Sequence, residues 1–518
     1  MNKIDDALSP FTGAMQRRSL LKLFGRSAIA IAGSAAPGLQ ALAQRGSDEP
    51  RDCTPPGVKG KTAVVFAPKS SLPVRTRKSA FELSKQEADR LKTAYAALRK
   101  LTVQHPDDPR GWLRQGHVHC WYCGGGSNGR AAPDIHGSWL FLPWHRAFLY
   151  FHERILCKLI NDDTFALPYW DWDSQGRQVF PSVYGDPNNR SNPLYDVLRS
   201  ARPGSHIPVG VVGARVMSLT MNAPTNNLFM GSQNESSGAI ENQPHGPVHV
   251  WTGDTAMRDG RNDMGVLTTA AQDPVFFSHH GNIDRLWSVW LDLSPHHKNF
   301  PDQAWLSHGW EFYDENSVWT RIAISDVIDP VSSLRSEYQP PSPQPVWSFT
   351  QRPRLPVVAT AAPEPALTIE NAPATTALGS APVTQSIVVP PPVANSFAAL
   401  TAEAAPQYVL HIEGIEVPPT SQTLFRVYLN LPDATAKTGV DVPNFVGTVT
   451  VLAKSKKAQG HDHPSINTAF EITAALAEVA KEAAGNLTVT LVPAAAEGLA
   501  PAAPSPGVSF KKIYVDRL

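Results

Sequence analysis

The chain has 518 residues, with 46 Lys plus Arg balancing 46 Asp plus Glu, so its formal net charge is zero. That length exceeds what one hydrophobic core normally spans, and two or three domains are expected. Balanced charge without a long run of either sign removes the electrostatic case for a nucleic-acid partner, leaving small molecules or further copies of the chain.

Residues 1–43 read as an export signal. A polar leader holds the pair Arg17-Arg18, an alanine-rich apolar run follows, and Ala41-Leu42-Ala43 has the small-x-small form of a cleavage site. Paired arginines suit the twin-arginine route, which exports proteins already folded; an ordinary secretory signal or an N-terminal anchor is the competing reading. Gly33, Ser34, Pro37 and Gly38 interrupt the run and make it a poor spanning helix, and no later stretch is long and apolar enough to cross a bilayer. In an exported protein the four cysteines, Cys53, Cys120, Cys123 and Cys157, are too few to staple the chain and must act locally.

Tryptophan is dense from Trp112 to Trp319, which places the main core there. Ahead of it, Ser84 to Lys100 predicts an amphipathic helix: Ala88, Leu91, Ala94, Tyr95 and Leu98 share a face, and Ser84 with Glu87 has the capping-box form. After a polar turn come His117 and His119, then a glycine-rich loop to Pro133. His136 precedes a helix beginning near Pro143 and running through Leu159, with His145, Leu149 and His152 on one side. In Pro244-His245-Gly246-Pro247-Val248-His249 two imidazoles stand four apart, one turn of a helix that starts there, as a chelating pair requires. A further helix runs from Asp273 through Trp287, where adjacent His279 and His280 point about 100° apart, so only one is expected to meet that pair. Sets of three neutral imidazoles suit zinc, copper, iron or nickel rather than calcium or magnesium. For any single histidine a hydrogen-bonded core residue is the competing reading, but six among Trp- and Phe-rich helices point to two metals.

The blocks HCWYCGG, FLPWHR, ENQPHGPVHVWTGD and DPVFFSHHGNIDRLW resemble the type-3 copper proteins: tyrosinases, catechol oxidases (polyphenol oxidases) and haemocyanins. The resemblance runs from about Cys53 to Tyr338, resumes near Leu424, and is nearest to the plant type. It implies a mainly α catalytic domain, a four-helix bundle around a dicopper site, followed by a C-terminal β-sandwich. Residue by residue, it assigns one copper to His119, His136 and His145 and the other to His245, His249 and His280. His279 takes the non-ligand place, and His117 is an extra histidine rivalling His119. The resemblance also implies a thioether from Cys123 to His136 and a disulfide from Cys53 to Cys120. Thr54 stands where relatives have a second cysteine, so their other bridge is expected to be absent, and Cys157 is expected to be a buried thiol. Glu241 matches a glutamate that holds a water for phenol deprotonation, while Gly246, Val250 and Leu267 match positions linked to substrate access. Asp284 and Arg285 read as partners of the site or as an ion-pairing element. The tyrosine pair that closes the core in relatives is reduced to Tyr338.

The expected domains are thus 44–340 for catalysis, a Pro/Ala-rich linker over 341–405 in which Ser386-Ile387-Val388-Val389 can add an edge strand, and 406–518 for the sandwich. In relatives that last domain covers the copper site and keeps the enzyme latent until cleavage. Phe425, Phe445 and the loop carrying His461 and His463 are candidates to enter the pocket.

The implied activity is dioxygen-dependent oxidation of o-diphenols to o-quinones by two copper ions, extending to hydroxylation of monophenols. A haemocyanin-like oxygen carrier and a non-catalytic binding protein are the alternatives. Phenols are the expected partners, with no nucleic acid and no membrane span; a homo-oligomer, an activating protease and a copper chaperone stay open.

Overall fold

Ser84 starts the first long helix as the sequence predicts: its hydroxyl accepts from the Glu87 amide at 3.2 Å, and the Glu87 carboxylate accepts from the Ser84 amide at 2.8 Å. The computed structural model describes residues 53–123, 134–185, 191–233, 236–253, 263–349, 369–370, 375–388, 407–418, 421–452, 465–479, 486–494 and 507–517. The proposed leader and the histidines at 461 and 463 lie outside the described residues.

The helices that build the site are α1 (Lys85–Gln104), α2 (Trp112–Tyr122), α3 (Phe141–Ile160), α4 (Ala214–Met221), α5 (Gly246–Thr252) and α6 (Val275–Leu293). Helix α3 is buried without interruption from Phe141 to Cys157, so it has no solvent face for its polar residues. Each of them has a fixed partner instead. His152 lies between the Tyr95 hydroxyl at 3.2 Å and the Gln115 side-chain carbonyl at 3.1 Å, stacked on Phe277. The Arg146 guanidinium donates to Asp284 of α6 at 2.5 Å, and Arg154 pairs with Asp163 and Glu315. Glu153 accepts from Arg75 at 2.7 Å and from Arg77 at 2.9 Å. Those arginines come from strand β1 (Arg75–Arg77), which pairs in parallel with β4 (Ser336–Tyr338); between them in the chain, β2 (Gly309–Tyr313) and β3 (Trp319–Ala323) form an antiparallel pair.

Asp284 is the hub of this network: besides Arg146 it accepts from the Tyr338 hydroxyl at 2.5 Å, and Arg77 donates to that same hydroxyl. The closing clasp is therefore intact with one tyrosine, because Tyr338 reaches α6 directly. Arg285 pairs with Asp173. Both residues take the ion-pairing role the sequence left open.

The C-terminal strands are β5 (Val383–Val388), β6 (Tyr408–Ile415), β7 (Thr423–Leu429), β8 (Phe445–Val451), β9 (Ile466–Glu471), β10 (Asn486–Pro493) and β11 (Lys512–Arg517), with helix α7 (Thr473–Val479) after β9. One sheet runs β5-β10-β7-β8, and in the other β9, β6 and β11 are neighbours. Leu410, Ile412 and Val515 meet Phe425, Val427, Val449 and Leu491 in one apolar core. The stretch 341–405 is not linker throughout. Trp347 donates to Asp173 and Val346 to the Asp173 carbonyl, while β5 pairs with β10 over its whole length, its inward Ile387 alternating with exposed Thr384 and Ser386. That alternation is a strand pattern inside a proline-rich composition.

All the described residues belong to one compact unit, Ser47–Leu518. Within it the second sheet does not stop at β9: Asn467 and Thr468 pair in parallel with Ser236 and Ser237 of the catalytic domain. Helix α4 adds Val216 to an apolar cluster with Tyr428, Val440 and Phe445, and Arg215 donates to the Pro443 and Phe445 carbonyls.

Replacing Glu153 by alanine should cost about 3–5 kcal/mol, since it strands two buried cations; the denaturant midpoint measures it. Burial alone would raise the Glu153 carboxyl, but the attraction of Arg77 and then Arg75 overrides it and holds the group at about 2. With a folded value below the ordinary ~4.3, this stabilisation is complete above that pH and is lost as pH falls toward about 2.

Candidate metal centre

Two triangles of imidazoles face each other at the middle of the helices. In the first, ring centroids lie 5.2 Å apart for His119 and His136, 5.6 Å for His119 and His145, and 5.5 Å for His136 and His145. In the second they lie 4.6 Å apart for His245 and His249, 5.0 Å for His245 and His280, and 5.3 Å for His249 and His280. His145 and His280 stack at 4.0 Å across the junction, and His136 and His245 lie 6.2 Å apart.

Backbone carbonyls set which nitrogen is available in four of the six rings. Nδ1 of His119 lies 2.7 Å from the Leu267 carbonyl, that of His145 2.8 Å from Phe141, that of His249 2.7 Å from Met264, and that of His245 3.3 Å from Glu241. A neutral imidazole that donates from Nδ1 keeps its Nε2 lone pair, the form a metal binds. Nε2 of His136, His145 and His245 is buried and has no protein partner. Burial, reinforced by the neighbouring imidazoles, pushes His119, His145, His245 and His280 well below the usual histidine range, and burial brings His249 to about 3. Neutral, desolvated and converging nitrogens of this kind fit copper.

The local sequence explains the placement. His119 sits on the buried side of α2, and His145 one turn into α3, which starts at Phe141 and takes Pro143 in its first turn. The helix expected to start at Pro244 starts earlier: Glu241–His245 is a π-helical turn leading into α5. Such a turn lets Pro244 sit in a continuous helical path, because its missing amide proton falls where the ladder is already wide.

His279 corrects the expectation that only one of the adjacent histidines meets the pair. Its ring lies 5.4 Å from His245 and 4.8 Å from His249, because those two rings straddle neighbouring faces of α6. What separates the two is their other side. The Trp172 indole donates to Nδ1 of His279 at 3.2 Å, while His280 stacks toward the first triangle. His117, about 200° round α2 from His119, lines a separate small cavity beside Cys53 and Tyr313.

Cys53 and Cys120 form a disulfide, which ties the N-terminal arm to the residue beside His119. Cys123 Sγ lies 3.5 Å from His136 Nδ1, and Cys157 is buried against the Phe165 carbonyl.

Above the imidazoles is a cavity of about 50 Å³ lined by Asp134, Glu241, Gly246 and Leu267 from the catalytic domain and by Thr450, Val451, Leu452 and Ile466 from the C-terminal domain. That is room for a few waters, at roughly 10–15 Å³ each. Glu241 accepts from the Gly137 amide at 2.8 Å through one oxygen; the other is buried without a partner. Val250 is packed in the core. Phe425 and Phe445 do not enter the cavity: Phe425 packs in the core of the C-terminal sheets and Phe445 in the apolar cluster shared with Val216. The four C-terminal lining residues carry no sequence signal, because nothing local says which face of β8 meets another domain.

The common central domain of tyrosinase matches residues 109–209 and 188–293, the polyphenol oxidase middle domain matches 299–353, and the chloroplastic polyphenol oxidase C-terminal domain matches 381–501. Chloroplastic polyphenol oxidase A1 of Vicia faba is 33% identical over 478 residues, covering 83% of this chain and 76% of that protein. The latent chloroplastic polyphenol oxidase of Prunus armeniaca is 32% identical, covering 86% and 77%. Among solved structures, latent apple tyrosinase aligns with a TM-score of 0.68 at 28% identity over 88% of this chain and 100% of that one. A latent aurone synthase (polyphenol oxidase) from its natural source aligns at 0.71 and 28% over 91% and 94%.

The disulfide closes a separation of 67 residues, which corresponds to about 4 kcal/mol of denatured-state constraint. Reduction, or Cys53→Ser, should lower the unfolding midpoint accordingly, and thermal melts with and without a thiol reductant test it.

Proposed function

The chain belongs to the tyrosinase family, in the form that carries the polyphenol oxidase middle and C-terminal domains, and we propose that it is made as a latent, exported enzyme whose two histidine triplets hold a copper pair. It oxidises o-diphenols to o-quinones. The observation that carries this reading is the pair of facing triangles of buried imidazoles, in which Nδ1 of His119, His145, His245 and His249 is tied to a backbone carbonyl and Nε2 of His136, His145 and His245 is left without a protein partner. His119, His136 and His145 hold one ion, and His245, His249 and His280 the other. Two copper ions so held supply the electron chemistry: one dioxygen is reduced to two waters while two o-diphenols give up two electrons and two protons each.

The protein's own part is orientation and proton handling. Glu241 offers its unpartnered oxygen to the cavity while Gly137 fixes the other, which suits it to hold a water and accept a phenolic proton. Burial pushes its carboxyl up to about 8 in the metal-free protein; cations beside it favour the ionised, proton-accepting form. Gly246 and Leu267 at the cavity wall, with Val250 behind them, shape the approach of the ring. A Cys123 to His136 thioether would fix that imidazole further, and its formation removes two hydrogens from the intact mass. An oxygen carrier would need the same triplets but no proton acceptor, and Glu241 favours the enzyme.

The C-terminal domain closes the cavity, so the full chain is latent, and an activating protease cutting the Pro/Ala-rich stretch after Phe349 would release it. The leader with Arg17-Arg18 fits export of the folded protein to the periplasm or beyond. Among the described residues no helix is long and apolar enough to cross a membrane.

Oxygen uptake with catechol should be low for the full chain and rise after limited proteolysis; no quinone under either condition would end the enzyme reading. His280→Ala should bind half the copper of the parent, whereas His279→Ala should keep it all. Glu241→Gln should slow monophenol hydroxylation by roughly a hundredfold, the scale of a lost general base, with a smaller effect on catechol.

A further inference from the structure

Gly246 follows directly on His245 and is the first residue of α5. Glycine is a poorer helix former than alanine, so a helical glycine at a metal centre asks for a reason. The catalytic domain supplies none: outside the helix's own nearby backbone, the nearest of its atoms to a Cβ built on Gly246 is the Glu241 carbonyl oxygen, at 3.4 Å. The obstruction comes from the other domain. That Cβ would lie 2.7 Å from Thr450 Cβ and 2.8 Å from Thr450 Cγ2, far inside the 3.5–4.0 Å at which carbon atoms normally rest.

Thr450 Cβ is fixed to its backbone, so no rotamer relieves the overlap; strand β8 has to move. β8 is the edge strand of its sheet, paired on one side with β7, and it carries Thr450 against Gly246 of the catalytic domain. At its start β8 is also tied to α4, where Arg215 donates to the Phe445 carbonyl and Val216 packs with Phe445, and the neighbouring strand β9 adds further ties. Asn242, one turn before Gly246, donates to the Thr468 hydroxyl at 2.8 Å, and Ser236 and Ser237 pair with Asn467 and Thr468. A shift of β8 at Thr450 therefore works against the seam that Phe445 and β9 make with the catalytic domain. The Thr450 hydroxyl is itself buried without a partner beside the cavity, a cost the closed arrangement tolerates.

We propose that the missing side chain at Gly246 is what lets the C-terminal domain close over the site, with Thr450 as the closing contact, so that bulk at this position sets how firmly the uncleaved chain is held inactive. The inference rests on the latent phenol-oxidase reading above. It gives position 246 a second role: beside bordering the substrate's path, it governs the fit of the cover.

The test compares the parent, Gly246→Ala, Thr450→Gly and the double variant as full chains, each assayed with catechol before and after limited proteolysis. The before-to-after ratio cancels any effect of residue 246 on turnover itself. Gly246→Ala should raise the ratio by about tenfold, the scale that overpacking a tight contact brings, and should have no such effect in the Thr450→Gly background. Amide exchange along Phe445–Val451 in the uncleaved chains gives the same comparison without activity, faster in Gly246→Ala and back toward the Thr450→Gly rate in the double variant. An unchanged ratio and unchanged exchange in Gly246→Ala, or an equal rise in both backgrounds, would overturn the inference. A cleaved parent that makes no quinone would overturn the enzyme reading instead.

Discussion

Crowded imidazoles in a water-free interior are tolerable only if each is neutral and each ring proton has a fixed acceptor. An unpaired buried N–H costs about 1–3 kcal/mol, and a buried imidazolium costs more. The carbonyls of Phe141, Leu267 and Met264 meet that constraint for His145, His119 and His249, and in doing so they select the Nε2 lone pair of those rings for the centre. Two of these acceptors lie between α5 and α6, in a segment that would otherwise read as mere connection. The same requirement explains why α3 is buried along its length: a helix holding His145 at such a centre cannot leave a side open to water.

Burying α3 creates the next demand. Arg146, Glu153 and Arg154 are charged and out of water, so each needs a partner, and the partners bring distant segments in: Arg75 and Arg77 from β1, Asp284 from α6, Glu315 after β2. Tyr338 closes on Asp284 from the far end of the domain. The ionic network is thus a consequence of the metal-binding helices being desolvated, and its specificity lies in geometry. Well-packed apolar residues could fill the same volume, but they would not fix Asp284 and so would not fix the turn of α6 that carries His280.

What the sequence made legible was local. The i, i+4 spacing of His245 and His249, the capping box at Ser84 and the strand-like patterns of β6, β7, β8, β10 and β11 are written within one element, and the structure has them. Motif resemblance brought the triplets together and paired Cys53 with Cys120. What was illegible depends on docking. His279 was set aside by the angle between neighbours on a helix, yet its ring touches the pair; it is the Trp172 indole, over a hundred residues away, that occupies its Nδ1. The π turn at Glu241 reads as an ordinary helix start, since the widening answers a proline and a packing surface together. The edge strand read at Ser386-Ile387-Val388-Val389 is present and begins earlier, at Val383, in a stretch whose proline-rich composition otherwise reads as linker.

Phe425 and Phe445 show the same limit from the other side. Large aromatics are natural candidates to plug a pocket, but Phe425 is used in the core of the β-sandwich and Phe445 in the apolar cluster that the sandwich shares with Val216 of α4. The residues left to face a neighbouring domain are the smaller ones on the outer side of an edge strand, here Thr450 with Val451 and Leu452 beside it. A small residue covers a site only if the surface beneath allows close approach, and at Gly246 that surface has no Cβ. Closure and metal binding thereby fall on the same short helix: His245 and His249 face the centre, and Asn242 and Gly246 face the cover. A force that lifts the C-terminal domain therefore acts on the helical segment that carries His245 and His249, two of the three residues of the second triplet, so opening the cover bears directly on those side chains.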